Sequence, residues 1–128
     1  EPDYVAVAER FLGSPYQWGG KESLGLDCSG LVQTALQAAG IACPRDSGPQ
    51  EDWARRHWAP VEPGPEGEGL QRGDLLFWPG HVGIMTDAQR LLHANAHHME
   101  TAIEPVATAL RRIAHHHAPL SGAYRPPS

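Results

Sequence analysis

The sequence predicts an α+β domain in which helices come first and the strands of a mainly antiparallel sheet follow. Apolar residues recur at helical spacing in the first half of the chain, whereas short alternating runs separated by turn residues fill the second half. With 128 residues, of which 41% are hydrophobic, the chain can bury one core. We therefore expect residues 1–128 to form a single domain, and the start at "EPDYV" suggests a piece excised from a longer protein.

The first half is predicted to contain three helices. Residues 4–12 form a short helix that begins after Asp3, and residues 28–39 form an amphipathic helix, with a turn-rich loop between them. Ser47, followed by Gln and Glu three and four residues later, predicts a capped third helix that continues to residue 58.

The second half is predicted to supply the sheet. Residues 59–71 are rich in Pro, Gly and Glu and are expected to form an exposed loop. Strands are predicted at residues 73–78, 81–86, 90–96 and 120–126, with a hairpin turn at 86–89 and a late helix at 104–114.

Charge and hydropathy exclude several classes of partner. The net charge of −5 argues against a nucleic acid or an anionic membrane surface as the main partner. No apolar run approaches the roughly 18 residues that a membrane helix needs, and no signal-peptide pattern is present, so we expect no membrane insertion.

The two cysteines are expected to be free thiols. Cys28 begins the predicted helix at 28–39 and Cys43 lies beyond its end, so the helix separates them by more than the roughly 7 Å between bridged Cα atoms. A helix start favours a thiolate, which would make Cys28 a nucleophile. The alternative is that Cys28 is a small hydrophobic residue without a chemical role.

Histidine is the usual base for a thiol nucleophile, and the chain has eight. In two predicted strands the apolar residues take one face, which leaves His81 in the first strand and His93 in the second on the opposite face. If these strands pair, both histidines meet on one polar face, and the start of the cysteine helix could pack against that face. The pattern permits a Cys–His–His site without proving it.

The remaining histidines raise the question of a metal site. The candidate ligands are His97, His98, His115, His116 and His117. Adjacent histidines on a strand point to opposite faces, and the triple is predicted to lie in a loop before the last strand. We therefore expect surface histidines and no physiological metal.

Five blocks of sequence, "SPYQWGG", "DCSGLV", "RGDLLFW", "GHVGIM" and "LLHANA", occur in an order that resembles the NlpC/p60 family of papain-like cysteine peptidases. The resemblance implies the papain-like fold with the nucleophile at a helix N-terminus, and no cofactor. Family members generally cleave peptidoglycan stem peptides, commonly between D-γ-glutamate and diaminopimelate or lysine. The position of Met85, where many relatives carry Tyr, departs from the pattern.

The resemblance assigns catalytic roles to matching positions. It implies that Cys28 is the nucleophile, that His81 is the general base, and that His93 orients the imidazole of His81. It also implies that the hydroxyl of Tyr16 and the backbone N–H of Cys28 stabilise the oxyanion.

Four positions match residues that line the substrate subsites of the family: Asp27, Ser29, Tyr16 and Arg45. In relatives that act on short peptides, the residue matching Asp27 contacts the free amine of the substrate. The residues alone leave two alternatives, in which Asp27 is a helix cap and Arg45 is a solvated or structural arginine.

Several functional questions stay open at this stage. An amidase or acyltransferase on the same fold and a non-catalytic cell-wall-binding module are the alternatives to a peptidase. The resemblance leaves undecided the choice between endopeptidase and dipeptidyl-peptidase, and whether the bacterial parent protein acts in the cytoplasm or in the periplasm and beyond. It also allows small β-barrel domains elsewhere in the parent chain.

Overall fold

The computed structural model of the protein describes residues 3–12, 21–22, 25–95 and 100–127, with the backbone alone at residues 21–22, 25–26, 95 and 100. The helices are α1 (Tyr4–Glu9), α2 (Cys28–Ala38), α3 (Ser47–His57) and α4 (Val106–His116). The strands are β1 (Lys21–Glu22), β2 (Gly25–Leu26), β3 (Ala59–Val61), β4 (Leu75–Trp78), β5 (His81–Met85), β6 (Arg90–Asn95), β7 (Glu100–Pro105) and β8 (Gly122–Arg125).

The main sheet has six antiparallel strands in the order β3-β8-β4-β5-β6-β7. Strands β1 and β2 form a separate short pair. The predicted α+β class and antiparallel sheet are therefore confirmed. Of the described helices, none is both long enough and apolar enough to serve as a membrane span.

Strand alternation gives the sheet two apolar faces. One face packs on α1 and α2 through buried side chains of the sheet that include Leu75, Phe77, Val82, Ile84, Leu92 and Ala94. The opposite face packs on α4 through Leu76, Trp78, Met85 and Leu91. The sheet is therefore a middle layer between α1 and α2 on one side and α4 on the other. Strand residues that alternate with those facing α1 and α2, polar ones included, lie on the α4 side.

Two helices begin at carboxylate caps, which satisfy N–H groups that have no partner within the helix. The Asp3 carboxylate accepts hydrogen bonds from the N–H groups of Val5 and Ala6. The Asp27 carboxylate accepts one from Gly30 N–H at 2.7 Å. The predicted cap at Ser47 is wrong, because Ser47 is the first residue of α3 and the capping position, Asp46, makes no side-chain cap bond.

Three predicted element boundaries also differ. Helix α1 ends at Glu9 instead of residue 12. The predicted exposed loop at 59–71 contains edge strand β3, which pairs with β8, and the buried Leu70. The late helix starts at Val106, because residues 100–105 form β7, paired with β6 in full register.

Gly83 allows β5 and β6 to bring their side chains close together. A Cβ atom at this position would lie 2.8 Å from Leu91 Cδ1 and 3.2 Å from His93 Cβ. Both side chains belong to β6, so any side chain at position 83 would push them away from β5.

We predict that Gly83→Ala lowers the free energy of unfolding by about 1–3 kcal/mol, because the added methyl overpacks the contact with β6. Urea denaturation measures the change. Gly48→Ala is the matched control, since a Cβ at that helical position meets no atom within 4 Å. The control should leave stability unchanged or slightly raised. Equal stability of Gly83→Ala and the wild-type protein would contradict the close approach.

Candidate active site

Cys28 is the first residue of α2, and the fold places it beside the start of β5. Its Sγ lies 3.9 Å from the carbonyl oxygen of Gly80, which directly precedes His81. The residue is 6% exposed and is buried at a junction between a helix N-terminus and a strand. Gly80 has a φ of 76°, a left-handed conformation that favours glycine and turns the chain into β5.

His81 and His93 meet across neighbouring strands. His81 Nε2 lies 2.7 Å from His93 Nδ1, and the ring centroids are 5.0 Å apart. His93 is fully buried, whereas His81 is half-buried. The prediction that the two histidines share one face of a hairpin is therefore confirmed.

The cysteine helix does not pack on that histidine face, so this expectation is wrong. Helix α2 covers the opposite face, where it contacts Val82 and Ile84. His81 is the first residue of β5, so Cys28 approaches the histidines around the end of the strand, next to Gly80.

Behind His93 lies an ion pair that the sequence prediction missed. His93 Nε2 is 2.6 Å from Glu104 Oε2. Arg112 on α4 binds the same carboxylate with both terminal nitrogens, with Nη2 at 2.8 Å from Oε2 and Nη1 on Oε1. Because residues 100–105 were not predicted as a strand, nothing placed Glu104 beside His93. A histidine placed in the interior of a sheet needs polar partners on both ring nitrogens, and this requirement for His93 is the signal that points to a carboxylate on the neighbouring strand.

Glu104 is ionised at this position. Burial opposes its ionisation, but hydrogen bonds from Arg112 and His93 outweigh that cost and hold the pKa of this carboxyl well below its usual range.

Burial dominates the protonation of Cys28 and His81. It raises the pKa of Cys28 to about 11, assisted by the charge of Asp27, although backbone N–H groups of Val82 and Ser29 pull the other way. Burial, followed by the repulsion that arises when both His81 and His93 are protonated, lowers the pKa of His81 to about 3. Desolvation of the sulfur thus outweighs the stabilisation that these backbone N–H groups give to a thiolate, so the helix start alone does not ionise Cys28.

Asp27, Ser29 and Arg45 form one connected group next to Cys28. Asp27 uses one oxygen to cap α2, and its Oδ2 accepts a hydrogen bond from Arg45 Nη2 at 3.1 Å. Arg45 Nη1 donates to Ser29 Oγ at 2.9 Å. The capping role of Asp27 is therefore present, and Arg45 is held by contacts within the protein.

Gln50 fixes the segment that carries Arg45. It is fully buried, and its Nε2 donates to the carbonyl oxygens of Ser29 at 3.0 Å and Pro44 at 2.8 Å. From the sequence, Gln50 is predicted only to lie near a helix start, because its contact with Ser29 joins elements that are distant in the chain.

The other predicted residues are less informative. Tyr16 lies outside the described residues, as do His97 and His98. The histidine triple is not in a loop as predicted: His115 and His116 end α4, while His117 caps it and lies with Nε2 2.6 Å from the Pro79 carbonyl oxygen. Within the described ranges, no three His, Cys, Asp or Glu side chains are grouped closely enough to hold a metal ion.

Comparison with known proteins identifies the same family that the motifs resemble. The NlpC/P60 family model matches residues 13–116. The chain is 33% identical over 114 residues to the γ-D-glutamyl-L-lysine dipeptidyl-peptidase of Bacillus cereus, a match that covers 83% of this chain and 32% of that protein. It is 34% identical over 115 residues to the peptidoglycan endopeptidase RipB of Mycobacterium tuberculosis, covering 77% of this chain and 44% of RipB.

Solved structures agree in fold. The crystal structure of an NlpC/P60 family protein from Bacillus cereus superposes with a TM-score of 0.73 at 31% identity, covering 96% of this chain and 39% of that chain. This chain spans less than half the length of both sequence relatives. The family model spans most of the described fold and includes Cys28, His81 and His93. The chain belongs to the NlpC/P60 family and has its α+β, papain-like fold.

Proposed function

We propose that this chain is a cysteine peptidase domain that hydrolyses the bond between D-γ-glutamate and the diamino acid of peptidoglycan stem peptides. The observation that carries the proposal is the placement of Cys28 at a helix start against Gly80, the residue before His81, whose ring is hydrogen-bonded to His93. A thiol, a base and a group that orients the base are the parts that nucleophilic acyl transfer needs. The names of the two relatives, a γ-D-glutamyl-L-lysine dipeptidyl-peptidase and a peptidoglycan endopeptidase, support the substrate class.

In the proposed first step, the Cys28 sulfur attacks the carbonyl carbon of the γ-glutamyl bond while its proton passes to His81. Since His81 Nε2 faces His93, Nδ1 is the nitrogen that accepts this proton. The negative charge that develops on the carbonyl oxygen is stabilised by the Cys28 N–H at the start of α2 and by the hydroxyl of Tyr16.

In the second step, His81 returns the proton to the leaving amine of the diamino acid as the C–N bond breaks. The product is a thioester between Cys28 and the γ-carbonyl of glutamate. A water molecule, deprotonated by His81, then attacks the thioester and releases the carboxylate and the thiol.

The group formed by Asp27, Ser29 and Arg45 is suited to the charged ends of a short stem peptide. We propose that the Asp27 carboxylate binds the ammonium group of the L-Ala residue, because a hydrogen bond between two charged groups is stronger than one between neutral groups. Arg45, held by its hydrogen bond to Ser29 Oγ, brings a positive charge that would attract a substrate carboxylate. Ser29 then lines the subsite between them.

We predict that the purified domain releases L-Ala-D-Glu from L-Ala-γ-D-Glu-L-Lys or its meso-diaminopimelate analogue, and that Cys28→Ala abolishes release. Mass spectrometry of the products measures both. Cys43→Ala should retain cleavage, since the sulfur of this other thiol contacts Pro44 O at 3.4 Å on a separate segment. Intact substrate together with binding to murein sacculi would instead favour a non-catalytic module, and cleavage by Cys28→Ala would overturn the mechanism.

We predict that Asp27→Asn lowers kcat/KM for the free-amine tripeptide about tenfold, mainly through KM, because a charge-assisted bond to the ammonium is lost. Asn retains helix-capping ability but loses the ion pair with Arg45, so the free energy of unfolding should fall by no more than about 1 kcal/mol. The tripeptide acetylated at the L-Ala amine, which lacks the N-terminal ammonium group, should lose less. Asp52→Asn is the control, since this exposed aspartate pairs with Arg55 at 2.9 Å. Equal effects of Asp27→Asn on both substrates would contradict the subsite.

We predict that alkylation of Cys28 by iodoacetamide in the substrate-free domain rises steadily with pH from 7 towards the pKa of about 11. A raised thiol pKa means that the reactive thiolate is a minor species at neutral pH and grows about tenfold with each pH unit below that pKa. Peptide mass spectrometry separates the Cys28 adduct from that of Cys43, whose pKa burial raises to about 12. A rate plateau near neutral pH would show a preformed thiolate instead.

A further inference from the structure

We propose that Glu104 and Arg112 are positioning residues that decide which ring nitrogens of His81 and His93 carry protons. This inference rests on the proposed function, in which Nδ1 of His81 must be free to accept the proton of Cys28. The two residues continue the hydrogen-bond network of the histidines, from Glu104 on β7 to Arg112 on α4.

The ionised carboxylate of Glu104 determines which ring nitrogens in this hydrogen-bond network carry protons. Ionised Glu104 can only accept hydrogen bonds, so the short contact of 2.6 Å requires a proton on His93 Nε2. In neutral His93 the other nitrogen, Nδ1, then carries a lone pair. The 2.7 Å contact to His81 consequently requires a proton on His81 Nε2. His81 Nδ1 is left unprotonated, and this is the basic atom that Cys28 needs.

Arg112 keeps His93 neutral. A lone buried carboxylate beside a histidine favours the imidazolium form. In imidazolium, His93 Nδ1 would carry a proton aimed at His81 Nε2, and His81 would have to accept there and move its own proton to Nδ1. The base would then be blocked. Because Arg112 binds both oxygens of Glu104, its positive charge offsets the carboxylate and removes the reason for His93 to take a second proton.

The other titratable groups around His81 and His93 cannot take over the role of Glu104 and Arg112. The titratable groups that act on His81 are His93 on β6, Glu104 on β7, Arg112 on α4 and His117 just beyond the end of α4. On the opposite side, at the start of α2, lies Cys28. Among these groups, His93 and His117 disfavour protonation of His81, whereas Glu104 favours it. Glu104 is the carboxylate among them, and Arg112 is the cation bonded to it.

The neighbour of Arg112 offers a matched control. Arg111 lies on the same turn of α4 but pairs with Glu66 on the exposed surface, with 62% of its side chain exposed. Arg111→Met therefore removes the same charge from the same helix without reaching the histidines.

The experiment combines ¹⁵N NMR of the imidazole rings with the pH profile of kcat/KM on the tripeptide. In the wild-type protein we expect His93 protonated at Nε2 and unprotonated at Nδ1 at neutral pH. In Arg112→Met we expect His93 to become imidazolium and the acidic limb of the profile to move up by about one pH unit or more. Glu104→Gln in the Arg112→Met background should return the acidic limb towards its wild-type position. The single variant Arg112→Lys, which retains the positive charge, should leave the acidic limb at the wild-type position.

The contrary results are equally specific. A proton on His93 Nδ1 instead of Nε2 in the wild-type protein would overturn the proposal, and this reading needs no variant to fold. A loss of kcat in Arg112→Met with an unmoved acidic limb, or the same shift in Arg111→Met, would also overturn it. NMR reads the protons without turnover, so a wild-type protein with the expected tautomers but no hydrolysis would refute the proposed function alone.

Discussion

The hydrogen bond between His81 and His93 is the interaction on which the candidate site depends. It joins two antiparallel strands through rings whose nitrogens are 2.7 Å apart. The strands can bring these side chains together because Gly83 leaves room for His93 and Leu91. A fully buried ring must also have a partner for its second nitrogen, and Glu104 supplies it. His81 is therefore connected by hydrogen bonds through His93 to Glu104 on β7 and Arg112 on α4.

Desolvation sets the electrostatic character of this site. Cys28 and His81 both favour their neutral forms, because each loses more by leaving water than nearby dipoles return. Glu104 behaves in the opposite way, since Arg112 compensates for its burial. The thiol and the imidazole are therefore neutral, next to one ionised carboxylate. In the proposed mechanism, charge separation between sulfur and imidazole occurs during the reaction and does not precede it.

Part of the site could be predicted because it follows from local patterns. Helical periodicity after Asp27 placed Cys28 at a helix start, and strand alternation placed His81 and His93 on one face. The family motifs pointed to the same three residues. What escaped prediction is non-local: β7 was missed because Glu104 and Pro105 resemble the start of a helix, and its pairing with β6 is not encoded by spacing. The neutral state of Cys28 likewise depends on packing by distant elements.

The central claim is that Cys28 forms a thioester with the γ-carbonyl of glutamate, and rapid acid quench of the domain with tripeptide tests it most directly. Acid protects the thioester, and mass spectrometry of the digested protein locates any adduct. The account predicts that the Cys28 peptide gains the mass of an L-Ala-γ-D-Glu acyl group, and that the leaving diamino acid appears no later than this adduct. Turnover with no adduct on Cys28 at any quench time, or with the acyl group on another residue, would contradict it.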